Sequence, residues 1–432
     1  MGPAQHAAGM VIAGMLALAI AGAVWPAVPT LSAAVLAWIA LALLWPNIGR
    51  RQQFQALMFI AAGLAAFAWG ASQGAPLRFD SLLGQNQPIL SMLAAVTLLR
   101  LLNRPPRVDE PELPRGRGAY LQSMLGVHAF GSIINISAVI IMADRLARVL
   151  PLGFNQAQLF SRAFTAVAFY SPFIGGVALA LSYTPGSSPV VMMLFGLPLA
   201  AASFVLLYWY ASSGRAEEVR TFRGYPLHPQ DLKVPLTLGA AVLIAATVLP
   251  GYSVLALITM VTPAVVVAVL IKRKGLRGLR PALAEYVRER APQMGSELAL
   301  FLGAGVLAAG VVAAAAGSGD WTLLPRLDAF HAALLVFVFI VASLVCVHPA
   351  VLMGITVALA ETVELDPTLL ATTFAMGWGL GCAVNPLSGV NVVLATRYGA
   401  DNWRIARSNI VYSATLYPVA AALLYLYEFI RL

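Results

Sequence analysis

Apolar residues gather into thirteen blocks along the chain, at roughly 9–24, 31–46, 53–72, 88–103, 119–143, 156–184, 188–211, 235–250, 253–271, 295–316, 328–362, 367–396 and 404–427. Most approach the ~20 residues that a helix needs to cross the hydrocarbon core of a bilayer, so the pattern predicts an all-α polytopic membrane protein. Two blocks are polar in the middle. The first, 119–143, holds Gly126, Gly131, Ser132, Asn135 and Ser137; the second, 328–362, holds His348 and Pro349, with Gly354 and Thr356 beyond them. Two other blocks are cut by proline, as Tyr170-Ser171-Pro172-Phe173-Ile174-Gly175-Gly176 and as Val384-Asn385-Pro386-Leu387-Ser388-Gly389-Val390-Asn391. Proline removes a helical hydrogen bond and pushes the residue before it out of the α region, so each of these two helices is expected to be broken.

Composition agrees with the membrane reading. Of the 432 residues 60% are hydrophobic and 10% charged, against about 25% charged in soluble domains. The net charge of +9 would suit nucleic acid if it were clustered on one face, but the basic residues lie in short links between blocks, which is the positive-inside pattern. No nucleic-acid partner is expected; the bilayer is. Residues 9–24 are preceded by no Lys or Arg, so they read as a first span rather than a secretory signal.

Charge also decides which blocks cross. Twenty-three of the 27 Lys and Arg fall on one side of the membrane if 119–143 enters and leaves by the same face, since Arg117 precedes it and Arg145 follows. The block at 328–362 is flanked by Asp320, Arg326 and Asp328 before and by Glu361, Glu364 and Asp366 after, which suits a second hairpin entering from outside. The expected topology is therefore eleven transmembrane helices plus two re-entrant hairpins. The N-terminus would be cytoplasmic and the C-terminus periplasmic, in a bacterial inner membrane.

The halves repeat in inverted order. Val127-His128 in the first hairpin matches Val347-His348 in the second, and each is followed by a proline-broken block. The order divides the chain into spans over 1–118, the first hairpin, broken helix and following span over 119–212, a linker and further spans over 213–316, and the second hairpin, broken helix and last span over 317–432. Broken helices present free N–H groups that attract anions and unwound carbonyls that can coordinate cations. Two half-sites follow: Ser132, Asn135 and Ser137 with Ser171, Gly175 and Gly176, and His348 and Thr356 with Asn385, Ser388, Gly389 and Asn391. Three ionisable residues fall within apolar blocks as further candidates: Arg162 either pairs with a substrate anion or snorkels, Glu297 is either a proton carrier or interfacial, and His128 is either functional or packed. Asp144 reads as a surface partner of Arg145.

No HExxH, Walker A or Gly-x-Ser-x-Gly motif is present, and no acidic cluster for metal-bound phosphate, so an enzyme is not expected. Cys346 and Cys382 lack CxxC spacing and point to no metal or disulfide. The Gly and Ala run over 303–317 reads as tight helix packing.

On the tip segment Gly131-Ser132-Ile133-Ile134-Asn135-Ile136-Ser137 and the two broken helices, the organisation resembles the ion transporter superfamily, which includes divalent anion–sodium symporters, arsenite pumps and sodium–proton antiporters. That resemblance implies a homodimer in which 1–118 and 213–316 supply scaffold spans while the hairpin-bearing transport bundles, 119–212 and 317–432, move as an elevator. It implies no cofactor beyond Na+ as a coupling ion, and a small-molecule or ion substrate. An exporter or cation–proton antiporter of the same architecture, and a non-transporting membrane scaffold, are the alternatives.

Overall fold

The computed structural model of the protein describes residues 2–25, 27–76, 78–102, 113–212, 219–224, 233–318, 326–360 and 364–431. Arg104, Arg107, Arg215, Asp320 and Glu361, part of the charge reading above, lie outside these residues. Every apolar block forms helix, and the described residues hold eight helical stretches long and apolar enough to cross a membrane. One of them, Val254–Gly317, runs for 64 residues, far beyond a single crossing. The protein is a polytopic α-helical membrane protein.

By internal contacts the chain divides into two units. The first comprises 1–103, 237–325 and 353–364. Its helices are α1 (Pro3–Val24), α2 (Thr30–Leu44), α3 (Arg50–Ser72), α4 (Phe79–Gly84), α5 (Gln87–Thr97), most of α11 (Lys233–Val248), α12 (Val254–Glu285) and α13 (Gly295–Gly317). Helix α12 is interrupted at Gly275, whose φ is +69°. The expected tight packing over 303–317 is present: α13 lies along α3, with Gly303, Gly310 and Gly317 facing Ala56, Gly63 and Gly70. Small residues at this spacing let two backbones approach closely, which is how helices associate where lipid removes the hydrophobic drive between them.

The second unit comprises 104–236, 326–352 and 365–432. Here α6 (Gly116–Ile134) and α7 (Ser137–Ala147) are in contact, and a turn at Asn135-Ile136 separates them. Asn135 makes the turn at φ +55° and ψ −147°, away from the left-handed helical region and costly for any residue with a side chain. Helix α8 (Phe154–Thr165) runs through a 3₁₀ turn to Phe169, and α9 (Gly175–Tyr183) resumes after the first proline break. Helix α10 (Pro189–Ser212) follows. In the second half α14 (Ala329–Leu344) ends where Cys346 takes φ +68°, and α15 (Pro349–Ala360) begins with Pro at a position whose missing N–H costs nothing. The two-residue strands Arg326–Leu327 and Glu364–Leu365, on either side of this segment, pair with each other. Helix α16 (Pro367–Val384), the second break, α17 (Gly389–Tyr398) and α18 (Asn402–Arg431) complete the unit.

Part of α15 joins the first unit: Gly354 sits against Ala308, close enough that a Cβ there would lie 3.2 Å from the alanine side chain.

Candidate functional site

Both breaks lie in the second unit and are built alike. Ser171 stands immediately before Pro172, where the backbone cannot continue the helix. Its hydroxyl donates to the carbonyl of Ser132 at 2.5 Å and accepts from the N–H of Phe173 at 3.3 Å. Asn385 stands immediately before Pro386. Its amide nitrogen donates to the carbonyl of Val347 at 3.1 Å, and its amide oxygen accepts from the N–H of Leu387 at 2.8 Å. In each half, the residue before proline thus ties an unwound helix to a carbonyl at or just before the polar turn that precedes it and satisfies the first N–H beyond the break. Ser171 and Asn385 are 2% and 0% exposed, so these bonds are made away from water, where an unpaired polar group is costly.

The two matched histidines do different things. His128 Nδ1 lies 3.0 Å from the carbonyl of Ala163, and Nε2 lies 2.9 Å from the hydroxyl of Tyr170. A carbonyl can only accept, so the proton sits on Nδ1 and Tyr170 donates to Nε2. His348 Nδ1 accepts from the N–H of Ala350 at 3.2 Å, which puts its proton on Nε2, and its ring meets Trp378 edge-on at 5.1 Å.

The remaining half-site residues divide. Ser132 bonds back to the carbonyl of Ala129 at 2.8 Å, and the Asn135 side chain accepts from the N–H of Ile136 at 2.7 Å. Ser137 opens α7 and is buried. Gly175 and Gly176 open α9; a Cβ at Gly176 would lie 2.0 Å from the Trp378 ring, so the second broken helix leaves no room for a side chain there. Gly389 opens α17, with Ile136 of the first turn 3.7 Å from where its Cβ would be. Ser388, 1% exposed, has no hydrogen-bond partner for its hydroxyl among the described residues. Thr356, on α15, and Glu297, at the start of α13, belong by internal contacts to the first unit.

Asn391 ends a network that sequence reading missed. Its amide donates to the carbonyls of Asn385 at 2.9 Å and of Cys382 and Ala383 at 3.4 Å. Its oxygen accepts from Ser161 at 2.8 Å. Ser161 accepts from Asn409 at 3.3 Å, Asn409 also donates to the carbonyl of Ala383 at 2.9 Å, and Arg162 Nε donates to Asn409 at 2.8 Å. Ser161, Asn391 and Asn409 are all fully buried. The available signal was Asn409 itself, a polar residue inside the apolar block at 404–427, but one asparagine in a block does not say which distant residues it meets.

Asp144 forms a half-exposed surface pair with Arg397 at 2.9 Å and accepts from the Tyr398 hydroxyl at 2.7 Å, because α7 packs on α17. Among the described residues no group of three or more His, Cys, Asp or Glu is placed to hold a metal ion.

No family model matches the chain, and no curated protein matches it. Among solved structures it is similar to the YdaH transporter of Alcanivorax borkumensis, at 15% sequence identity, over 86% of this chain and 98% of that one, with a TM-score of 0.49.

Proposed function

We propose that the chain is a secondary active transporter that moves a small anionic solute across the bacterial inner membrane, coupled to Na+ or H+. In this reading it has eleven spans and two re-entrant hairpins arranged as an inverted repeat, and works as a homodimer by an elevator mechanism. The observation that carries it is the matched pair of tip-to-break bonds, Ser171 to Ser132 and Asn385 to Val347. A structural kink needs one such bond; two at equivalent places in opposite halves suit a site approached from either side.

The anionic preference is supported by what the second break leaves open. The carbonyls of Cys382, Ala383 and Asn385 already accept from Asn391 and Asn409, which leaves less for a cation there. The Ser388 hydroxyl and the first N–H groups of α17 remain, and a helix N-terminus favours negative charge. Na+ as coupling ion fits the neutral oxygens around Ser132, Asn135 and Ser137. An exporter or antiporter of the same architecture would instead draw on Glu297.

Purified protein is to be melted against a panel of small anions in sodium, in potassium and at two pH values, and reconstituted for uptake. Ligand binding to the folded state raises the melting temperature by mass action. A sodium- or proton-dependent shift with one anion is expected, reduced in Ser171→Ala and Asn385→Ala along with uptake. Shifts with pH or cations alone, and none with any anion, would replace this reading by the antiporter.

A further inference from the structure

Arg162 is the only Lys, Arg, Asp or Glu among the described residues that is buried, at 8% exposed. Its Nε donates to Asn409, and its Nη2 donates to the backbone carbonyl of Ser408 at 2.9 Å. Both acceptors are neutral. The guanidinium carbon lies 5.4 Å from the Tyr412 ring centre, and the phenols of Tyr120, Tyr210 and Tyr412 are its electrostatic neighbours. No carboxylate among the described residues stands at ion-pair distance.

Two bland roles fit poorly. A snorkelling arginine sends its head to the interface along an apolar stem, whereas this one is tied at Nε to a fully buried asparagine. A structural clamp would use its donors, but a guanidinium carries five N–H groups in a rigid fork. With Nε and one hydrogen of Nη2 engaged, the Nη1–Nη2 edge has no acceptor among the described residues. A buried cation without a counter-charge is expensive, and the edge left open is the one that matches two oxygens of a carboxylate or phosphate.

We propose that Arg162 is the fixed charge of an anion site inside the second unit, taking a small carboxylate or oxyanion on its Nη1–Nη2 edge beside Tyr120 and Tyr412. The proposal rests on the carrier reading above and deepens it. The solute is an anion because a guanidinium needs one, and its station lies at Arg162 rather than at the tips alone. Nine residues separate Arg162 from Ser171, about 13 Å along a helix. The site nevertheless connects to the second break through Asn409, Ser161 and Asn391.

The test is a binding titration on the full-length protein in detergent. Melting temperature is followed against acetate, succinate and inorganic phosphate at fixed sodium and ionic strength. Wild type, Arg162→Gln, Arg162→Lys and Asn409→Ala are compared, the last breaking the clamp while keeping the charge. At least one probe is expected to give a saturable rise. Its midpoint should weaken by about tenfold or more in Arg162→Gln, equivalent to losing one charge-assisted pair, and by several-fold in Arg162→Lys and in Asn409→Ala, the latter keeping the charge but loosening the fork that presents it. An unchanged midpoint in Arg162→Gln, or in folded Arg162→Lys if the glutamine variant does not fold, overturns the site, as does the absence of any saturable response in wild type. A protein that binds through Arg162 but moves none of the bound anion in proteoliposomes keeps the site and removes the carrier. Uptake that survives in Arg162→Gln with unchanged affinity keeps the carrier and removes the site.

Discussion

Asp366 shows how one side chain at the start of a helix can join it to a second one. It caps α16, one oxygen accepting from the N–H groups of Thr368 at 2.7 Å and Leu369 at 3.3 Å, while the other accepts from the Tyr427 hydroxyl of α18 at 2.7 Å. Arg431 lies 3.6 Å away. Partial burial pushes its pKa up, but the hydroxyl, the two backbone donors and the arginine together pull it below the usual carboxylate range. A depressed pKa stabilises the fold fully above the unfolded value of about 3.9, and that contribution is lost as pH falls through the folded one. The melting temperature of wild type should therefore drop more steeply than that of Asp366→Asn between about pH 6 and pH 3; parallel curves would remove Asp366 from the acid response. Its capping role is legible in the sequence, since Asp before Pro and an apolar run is a helix-start signal. The partnership with Tyr427 is not. Nor is the network of Ser161, Asn391 and Asn409, whose bonds span 230 and 248 positions: periodicity along one helix says which face is polar, never which distant residue meets it.

At the scale of elements, α3 and α13 are held by absence of side chains. A Cβ on Gly310 would stand 2.0 Å from the carbonyl oxygen of Gly63, one on Gly70 2.3 Å from that of Ala313, and one on Gly63 2.5 Å from that of Val306. The obstacle in each case is backbone, which cannot turn aside as a rotamer can. Gly310→Ala should force the helices apart and cost about 1–3 kcal/mol, as overpacking does, read as a lower melting temperature in detergent. Gly118→Ala, with nothing within 4 Å of its Cβ position, is the matched control and should be neutral; equal effects would mean that helix propensity, not packing, sets the response. The run of small residues makes this contact readable in advance, because small residues in a span have few other uses. The proline breaks are readable for a similarly local reason, the proline itself forbidding continuation of the helix. The two turns are less so. Asn135 and Cys346 adopt positive φ without glycine to announce it, and the division of α15 between units depends on a contact with Ala308 that its own residues do not encode.

For the whole molecule, the proposed arrangement turns on whether the chain re-emerges where it entered at 119–143. The packing of α6 on α7 and the flanking Arg117, Arg145 and Arg148 both favour return to one side, since basic links resist translocation. Two positions report on it directly. Gly118 is exposed before α6 turns inward, and Val149 is 60% exposed after α7. In a background with Cys346 and Cys382 replaced by alanine, Gly118→Cys and Val149→Cys should both resist a membrane-impermeant maleimide in intact cells and both react in inside-out vesicles. Arg431→Cys, after an odd number of crossings, should show the opposite pattern. If Gly118→Cys and Val149→Cys label from opposite faces, α6 and α7 together form a crossing, the charge partition loses its basis, and the two halves no longer insert their polar turns from opposite sides. The matched bonds at Ser171 and Asn385 would then lack the symmetry that makes an alternating site plausible, so this labelling pair bears on mechanism as much as on topology.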